Sequence, residues 1–221
     1  RPQELLTIAN HILGKGQLSL AKYLFIVAQE DDANLDVQNE YDFFQHLFSR
    51  VDWSRDLHFQ TKTTMDTLDY SSTGEINEGS KVVCAAVGQK KRDLCSDLTA
   101  LSIPSNLKPK LVMPGVLIVE ANDVQSVKDQ LESLNLEGIA LITLVDDSAF
   151  VAADISNWLW ITFTRSNPAE DIFGLEEATQ NKHWSCRIPI IDARVKPHHA
   201  PAMQMPDEII QIAQQKINNA L

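Results

Sequence analysis

Apolar positions recur along the chain in two alternating patterns, one helical and one typical of strands. Residues 2–13 place apolar side chains three and four positions apart, which predicts an amphipathic helix that stops at Gly14. The apolar, partly β-branched run 23–28 predicts a buried strand. Residues 39–49 return to the helical spacing. This order predicts an α/β protein in which helices flank mixed sheets.

The same two patterns continue to the C-terminus. Strand patterns occupy residues 57–61, 82–87, 116–119, 139–145 and 188–192, and helical patterns occupy 122–134, 155–164 and 206 onward. The stretch 104–114 carries three prolines and no period, which predicts a linker. We therefore expect two α/β units, residues 1–114 and 115–221.

An internal repeat indicates that the two units are related. At an offset of 115 residues, 26–57 aligns with 141–172. Five positions are identical, at the turn after the strand and at the end of the helix: Asp31/Asp146, Asp32/Asp147, Phe48/Phe163, Arg50/Arg165 and Asp56/Asp171. We interpret the second unit as a degenerate copy of the first. The Arg and Asp positions predict two structural ion pairs, Arg50–Asp56 and Arg165–Asp171.

Composition narrows the class of protein and its partners. The 221 residues are 44% hydrophobic and 22% charged, as in a globular protein with a packed core. The formal net charge of −11 disfavours nucleic acid, whose phosphates would be repelled. The three cysteines have no C-x-x-C spacing, and no apolar run approaches the roughly 20 residues of a membrane helix. We expect a cytoplasmic protein, and the initial Arg suggests a piece of a longer chain.

Several motifs of the first unit resemble the C-terminal domain of the UbiD family of decarboxylases. They are the segment 11–22, the acidic pair at 31–32, the segment 50–56, Asp66-Thr67-Leu68-Asp69, and Gly79-Ser80-Lys81. The resemblance is specific over about residues 11–87 and is nearest to the long members of quinone biosynthesis. The second unit resembles the extra region of those members, with Glu170 where their Asp-Pro-Ala-Arg-Asp element has Arg.

This resemblance implies a non-oxidative decarboxylase of small aromatic or α,β-unsaturated acids. It implies prenylated FMN as cofactor, with a divalent metal and a monovalent cation near the flavin phosphate. The family's catalytic and metal-binding residues lie in an N-terminal flavin-binding domain, and nothing in this sequence matches them. We therefore expect a C-terminal part that is not catalytic alone, has that domain as partner, and supports a homo-oligomer through the apolar face of its last helix. A prenylated substrate would bring the enzyme to a membrane surface.

One cofactor-binding residue carries over by resemblance. Lys22 matches the family lysine that reaches across the domain cleft to the flavin phosphate, and an ammonium suits a phosphate dianion. Without the resemblance, Lys22 would be interpreted as a solvated lysine at a strand edge. A Lys22 amine buried against acidic neighbours would contradict the phosphate role and the enzymatic interpretation with it. Met65 and Leu68 lie in the loop that, by resemblance, faces the substrate.

The remaining candidates for chemistry are weaker. His183, His198 and His199 suggest a metal site, but adjacent histidines in a strand point to opposite faces, so we expect no metal in this chain. Asp66 and Asp69 suggest an acid/base pair, but their polar neighbours favour turn-capping carboxylates. The competing functional hypothesis is a stand-alone interaction or assembly module without a catalytic role.

Overall fold

Helices and strands alternate along the computed structural model, which describes residues 1–201 and 205–219. The first part of the chain forms α1 (Pro2–Leu13), β1 (Tyr23–Val27), α2 (Glu40–Arg50), β2 (Leu57–Thr64) and β3 (Glu78–Ala86). The rest forms β4 (Lys110–Met113), β5 (Val116–Glu120), α3 (Val124–Leu131), β6 (Leu141–Val145), α4 (Ser148–Val151), α5 (Ile155–Arg165), α6 (Pro168–Asp171), β7 (Ile172–Leu175), β8 (Ala178–Gln180), β9 (His183–Ser185), β10 (Ile188–Asp192) and α7 (Asp207–Asn218). The mixed α/β class expected from the sequence is confirmed.

The first sheet has the strand order β1-β3-β2, with β3 in the centre. β1 runs parallel to β3, and β2 runs antiparallel to it. Successive β3 side chains face opposite sides of the sheet, so Val83 packs with α1 whereas Val82 and Cys84 pack with α2. Because of these strand directions, the start of β1 and the loop after β2 both lie at the end of the sheet where β3 begins. That end carries the candidate site.

The second sheet has the order β4-β5-β6-β10-β7. Its three central strands are parallel, and both edge strands are antiparallel to their neighbours. The predicted linker 104–114 is partly wrong, because β4 lies within it and pairs with β5 as a hairpin. Gly115 makes that tight turn at a φ of +81°, which glycine adopts without the strain of a side chain. The predicted boundary at residue 114 therefore falls inside a hairpin.

One hydrophobic core joins the two sheets. Phe44 of α2 packs edge-on against Trp158 of α5, with 5.1 Å between ring centroids. Trp53 donates a hydrogen bond from Nε1 to the carbonyl oxygen of Ala140 at 2.8 Å. Both tryptophans are buried, so each supplies a large apolar area to the contact between the units.

The repeated segments have matching topology. The order β1-β3-β2 has its counterpart in β6-β10-β7, with the same parallel and antiparallel pairs. Asp56 Oδ2 accepts a hydrogen bond from the Asp52 backbone N–H at 2.8 Å, and Asp171 Oδ2 accepts one from Asn167 at 2.6 Å. Each carboxylate thus satisfies a backbone donor in the turn before an edge strand. The internal duplication itself stays a prediction.

The predicted Arg50–Asp56 ion pair is wrong. The Arg50 guanidinium folds back over the last turn of its own helix and donates to the carbonyl oxygen of His46 at 3.2 Å and to Ser49 Oγ at 3.1 Å. Asp56 is fully buried and pairs with Arg55, with Nε–Oδ1 and Nη2–Oδ2 distances of 2.5 and 3.0 Å. The adjacent Arg55 reaches both carboxylate oxygens in the fork geometry that favours arginine.

The predicted Arg165–Asp171 ion pair is also wrong. Arg165 Nη1 contacts Asp146 Oδ2 at 3.2 Å, at the turn after β6. Asp171 instead contacts Lys196 Nζ at 3.2 Å. Lys196 follows β10, which pairs with β7, and β7 begins directly after Asp171. A cation from the neighbouring strand therefore reaches Asp171 in place of the one at the helix end.

The last helix, α7, makes no buried contact with the described part of the chain. Its isoleucines, which were predicted to form an apolar face, are exposed, with Ile209 and Ile217 at 49% and 60%. Within residues 1–201 and 205–219, helices that are both long and apolar enough to cross a membrane do not occur.

Candidate functional site

A groove of about 760 Å³ opens at the sheet edge where β1 begins. Its walls are the loop 66–70 after β2, the C-terminal half of α5, and the segment 195–201 after β10. We call it the Trp160 groove, after the exposed indole on one wall. It combines loop residues of the first unit with helix and loop residues of the second.

The Lys22 amine lies behind this groove and is engaged by its own chain. Nζ is 2.7 Å from Asp69 Oδ2 and donates to Ser71 Oγ at 2.8 Å. The Lys22 side chain is 7% exposed and that of Asp69 is 20% exposed. Burial lowers the pKa of Lys22, and the hydrogen bond with Asp69 offsets this only in part. The amine is therefore buried against an acidic neighbour.

This geometry contradicts the phosphate role predicted for Lys22. An ammonium that meets a ligand phosphate needs donors free toward an open cleft, whereas the Lys22 amine is directed to Asp69 and Ser71. The solvated alternative is wrong as well, since Lys22 is buried. By the criterion given in the sequence analysis, this result also counts against the enzymatic interpretation, which now depends on relationships to other proteins.

Lys196 fixes the segment that forms the third wall of the groove. Its Nζ donates to the carbonyl oxygens of Arg165 at 3.1 Å and Asp192 at 2.9 Å, and it pairs with Asp171. A cation at the last carbonyl of a helix also interacts favourably with the helix dipole. Lys196 is thus saturated by structural contacts that join α5, α6 and the end of β10.

The histidines of the segment lie in a turn, so the strand geometry that was used to argue against a shared metal does not apply to them. His198 and His199 have ring centroids 4.7 Å apart, and His198 Nε2 is 3.2 Å from the carbonyl oxygen of Ser71. Burial, with the nearby Lys196 cation, lowers the pKa of His199 to about 4, so its imidazole is neutral near pH 7. His183 lies elsewhere, beside His58 with 5.4 Å between ring centroids. Over residues 1–201 and 205–219, groups of three metal-ligating side chains do not form.

The two residues predicted to lie near the substrate have different environments, one exposed and one buried. Leu68 is 78% exposed and lines the Trp160 groove. Met65 is 2% exposed and packs beside Gly79, where any side chain would collide with its sulfur. Met65 is therefore an interior residue and the prediction for it is wrong, because the first residue after β2 still points into the core.

The interpretation of Asp66 and Asp69 as turn-capping carboxylates is confirmed. Asp66 Oδ1 accepts from the Leu68 N–H at 2.8 Å, and Asp69 Oδ1 accepts from the Ser71 N–H at 2.9 Å. The ion pair of Asp69 with Lys22 was not predicted from the sequence. Trp160 was missed as well, although a tryptophan on the polar side of a helical pattern is a signal for an exposed aromatic ring.

Comparisons with known proteins connect this chain to decarboxylases. Residues 1–86 match the family model described as the 3-octaprenyl-4-hydroxybenzoate carboxy-lyase C-terminal domain. A Chlamydia pneumoniae protein, named as one of the subunits of a 4-hydroxybenzoate decarboxylase, is 30% identical over 205 residues, which cover 92% of this chain and 34% of that protein. An uncharacterized protein of Chlamydia muridarum is 32% identical over 208 residues, covering 93% and 35%. The chain spans about a third of the length of the curated relatives it matches.

Among solved structures, the vanillic acid decarboxylase of Sedimentibacter hydroxybenzoicus in its open form aligns with this chain at 14% identity. The alignment covers 72% of this chain and 45% of the other, with a TM-score of 0.35. A similarity this low carries no argument about the fold or the site. The relationship therefore depends on the sequence matches.

Proposed function

Because the chain is a UbiD-family C-terminal region, as its motifs predicted, we propose that it forms the C-terminal part of a carboxy-lyase. The match of residues 1–86 to the family model is the observation that carries the proposal. The Chlamydia pneumoniae relative is named for 4-hydroxybenzoate. We accordingly propose aromatic acids, or α,β-unsaturated acids of similar size, as substrates.

In this proposal the chain supplies one wall of the active-site cleft and not the bond-breaking groups. The curated relatives are about three times as long as this chain, and the missing length has room for a catalytic domain. The Trp160 groove is the surface we assign to the cleft, since it combines exposed apolar side chains with charged ones. The partner across the cleft is the family's N-terminal flavin-binding domain.

Prenylated FMN, with a divalent metal and a monovalent cation, is the cofactor proposed for the whole enzyme. The geometry of Lys22 does not fit a direct contact with the flavin phosphate. Lys22 already donates to Asp69 and Ser71, and its side chain is 7% exposed. We therefore assign Lys22 a structural role and propose that the phosphate contacts lie in the rest of the protein.

The proposal includes a homo-oligomer held by α7. All described residues of this helix are exposed, and its isoleucines recur at helical spacing, as in a helix that packs on another protomer. Burying several isoleucine side chains supplies about 1.5–3 kcal/mol each, enough to hold a helix that is marginal alone.

Release of labelled CO2 by the full-length protein tests the proposed activity. Carboxyl-labelled 4-hydroxybenzoate and cinnamate represent the two acid classes, and the absorbance spectrum of the purified protein reports bound flavin. We expect release from at least one acid by protein that carries the prenylated flavin. Protein purified with unmodified FMN is the matched control and should release none. A flavin-loaded enzyme that decarboxylates neither class of acid would refute the proposal.

A further inference from the structure

The second unit supplies an aromatic ring and a cation to the Trp160 groove. Trp160 and Arg165 both belong to α5, and both line the groove opposite the loop that carries Leu68. They lie outside residues 1–86, where the family model matches. Their placement gives the second unit a role at the site that the match does not describe.

Three large side chains with apolar surface line the groove and are exposed. Trp160 is 70% exposed, and Leu68 and Tyr70 across from it are 78% and 61% exposed. Isolated exposed apolar residues are common, but several lining one groove indicate a surface for a ligand. An indole face beside an aliphatic side chain suits a planar ring, which stacks on the one and packs against the other.

Arg165 is a cation of the groove whose N–H donors are not all used by contacts within the described residues. Its guanidinium makes one hydrogen bond within the described residues, from Nη1 to Asp146 at 3.2 Å, and its remaining N–H groups are not buried. Lys196 differs, because its three donors are used by α5, α6 and β10. The planar fork of an arginine recognises a carboxylate through two parallel hydrogen bonds.

The two carboxylates that line the groove, and Asp146 beside it, accept hydrogen bonds from the chain. Asp69 is paired with Lys22, and Asp66 accepts the Leu68 N–H. Asp146 accepts the Val195 N–H at 2.8 Å in addition to its contact with Arg165. Asp66 has no cationic partner among the described residues, and it lies on the loop 66–70 and not on α5 beside Arg165.

We propose that the Trp160 groove binds an aromatic carboxylate, with the ring on Trp160 and the carboxylate on Arg165. The inference rests on the proposed function and names two specificity-determining residues for it. The neutral amide of the same acid fills the same space without the charge, so comparing benzoate with benzamide isolates the contribution of Arg165.

Calorimetric titration of the full-length protein with benzoate and benzamide tests this assignment. Trp160→Ala should weaken the binding of both ligands about fivefold to tenfold through the loss of stacking. Arg165→Gln should weaken benzoate about tenfold or more and leave benzamide unchanged. Phe150→Ala is the matched control, since Phe150 is 51% exposed and does not line the groove. Both groove positions are partly exposed, so each variant should retain the unfolding transition of the wild type.

The outcomes separate this inference from the proposed activity. Selective loss of benzoate binding in Arg165→Gln supports the site even in a protein that releases no CO2. Unchanged binding of both ligands in both variants overturns the site, whether or not decarboxylation continues.

Discussion

Replacing Lys22 by Met distinguishes a structural amine from a phosphate ligand. The change would leave Asp69 with the Ser71 N–H, at 2.9 Å, as its remaining donor. Removing one partner of a fully buried ion pair costs about 3–5 kcal/mol. Asp69 is 20% exposed at the groove and keeps contact with water, so we expect a loss of about 2 kcal/mol in the free energy of unfolding.

The pH dependence of the free energy of unfolding provides a second test, with a defined direction. Burial lowers the pKa of Lys22 below its ordinary 10.5, with partial compensation by Asp69. Between the lowered pKa and 10.5 the unfolded chain binds more protons than the folded chain, so stability rises with pH in that window. Lys22→Met should abolish this rise. The double variant Lys22→Met/Asp69→Asn removes both charges and should return to within about 1 kcal/mol of the wild type.

Urea unfolding of the full-length protein, measured together with its flavin content, checks these values. Lys15→Met is the control for the loss of a lysine, because Lys15 is exposed. We expect Lys22→Met to lower the urea midpoint and the double variant to recover it. A Lys22→Met protein that unfolds like the wild type but has lost its flavin would refute the structural role and restore the phosphate contact.

Three further predictions concern the unit interface, acid stability and assembly. Asn167→Ala removes the acceptor of the buried Ser80 N–H, at 3.1 Å, and should cost about 1–3 kcal/mol in thermal unfolding; an unchanged midpoint would contradict this contact between the units. Burial raises the pKa of Asp52, but its hydrogen bonds, including that of Lys91, outweigh this and lower it to about 2, so the stability it contributes is lost as pH falls from 3.8 toward 2. Asp52→Asn should flatten an acid titration of stability in that window, and an identical titration would count against the contact. Truncation after residue 205 should lower the number of protomers per particle, measured by light scattering. An unaltered number would exclude α7 as the element that joins the protomers.

Most helices and strands could be predicted from the sequence because their signals are local. Helical spacing and continuous apolar runs located α2, α5, β1 and β10. β4 was missed, since four residues among prolines show no period and become a strand only by pairing with β5. The interior position of Met65 likewise depends on its packing against β3, which the loop sequence does not indicate.

The charged contacts of the site were the least predictable part. Arg50 and Asp56 lie at a suitable spacing, yet each has another partner because Arg55 and the end of the helix are nearer. The acidic turns at Asp66 and Asp69 were predictable, since an Asx turn involves residues two positions apart.

The sequence alone determined the α/β class, the turn-capping carboxylates and the family, because residue periodicity, short-range hydrogen bonds and motif order are all properties of neighbouring positions. The tertiary structure decided that the Lys22 amine meets Ser71, 49 residues away, and that Trp160 and Arg165 face the loop carrying Leu68. Contacts between residues so far apart in the sequence follow from the order and direction of strands in the two sheets. A long side chain then bonds to whichever group the packed core leaves within its reach.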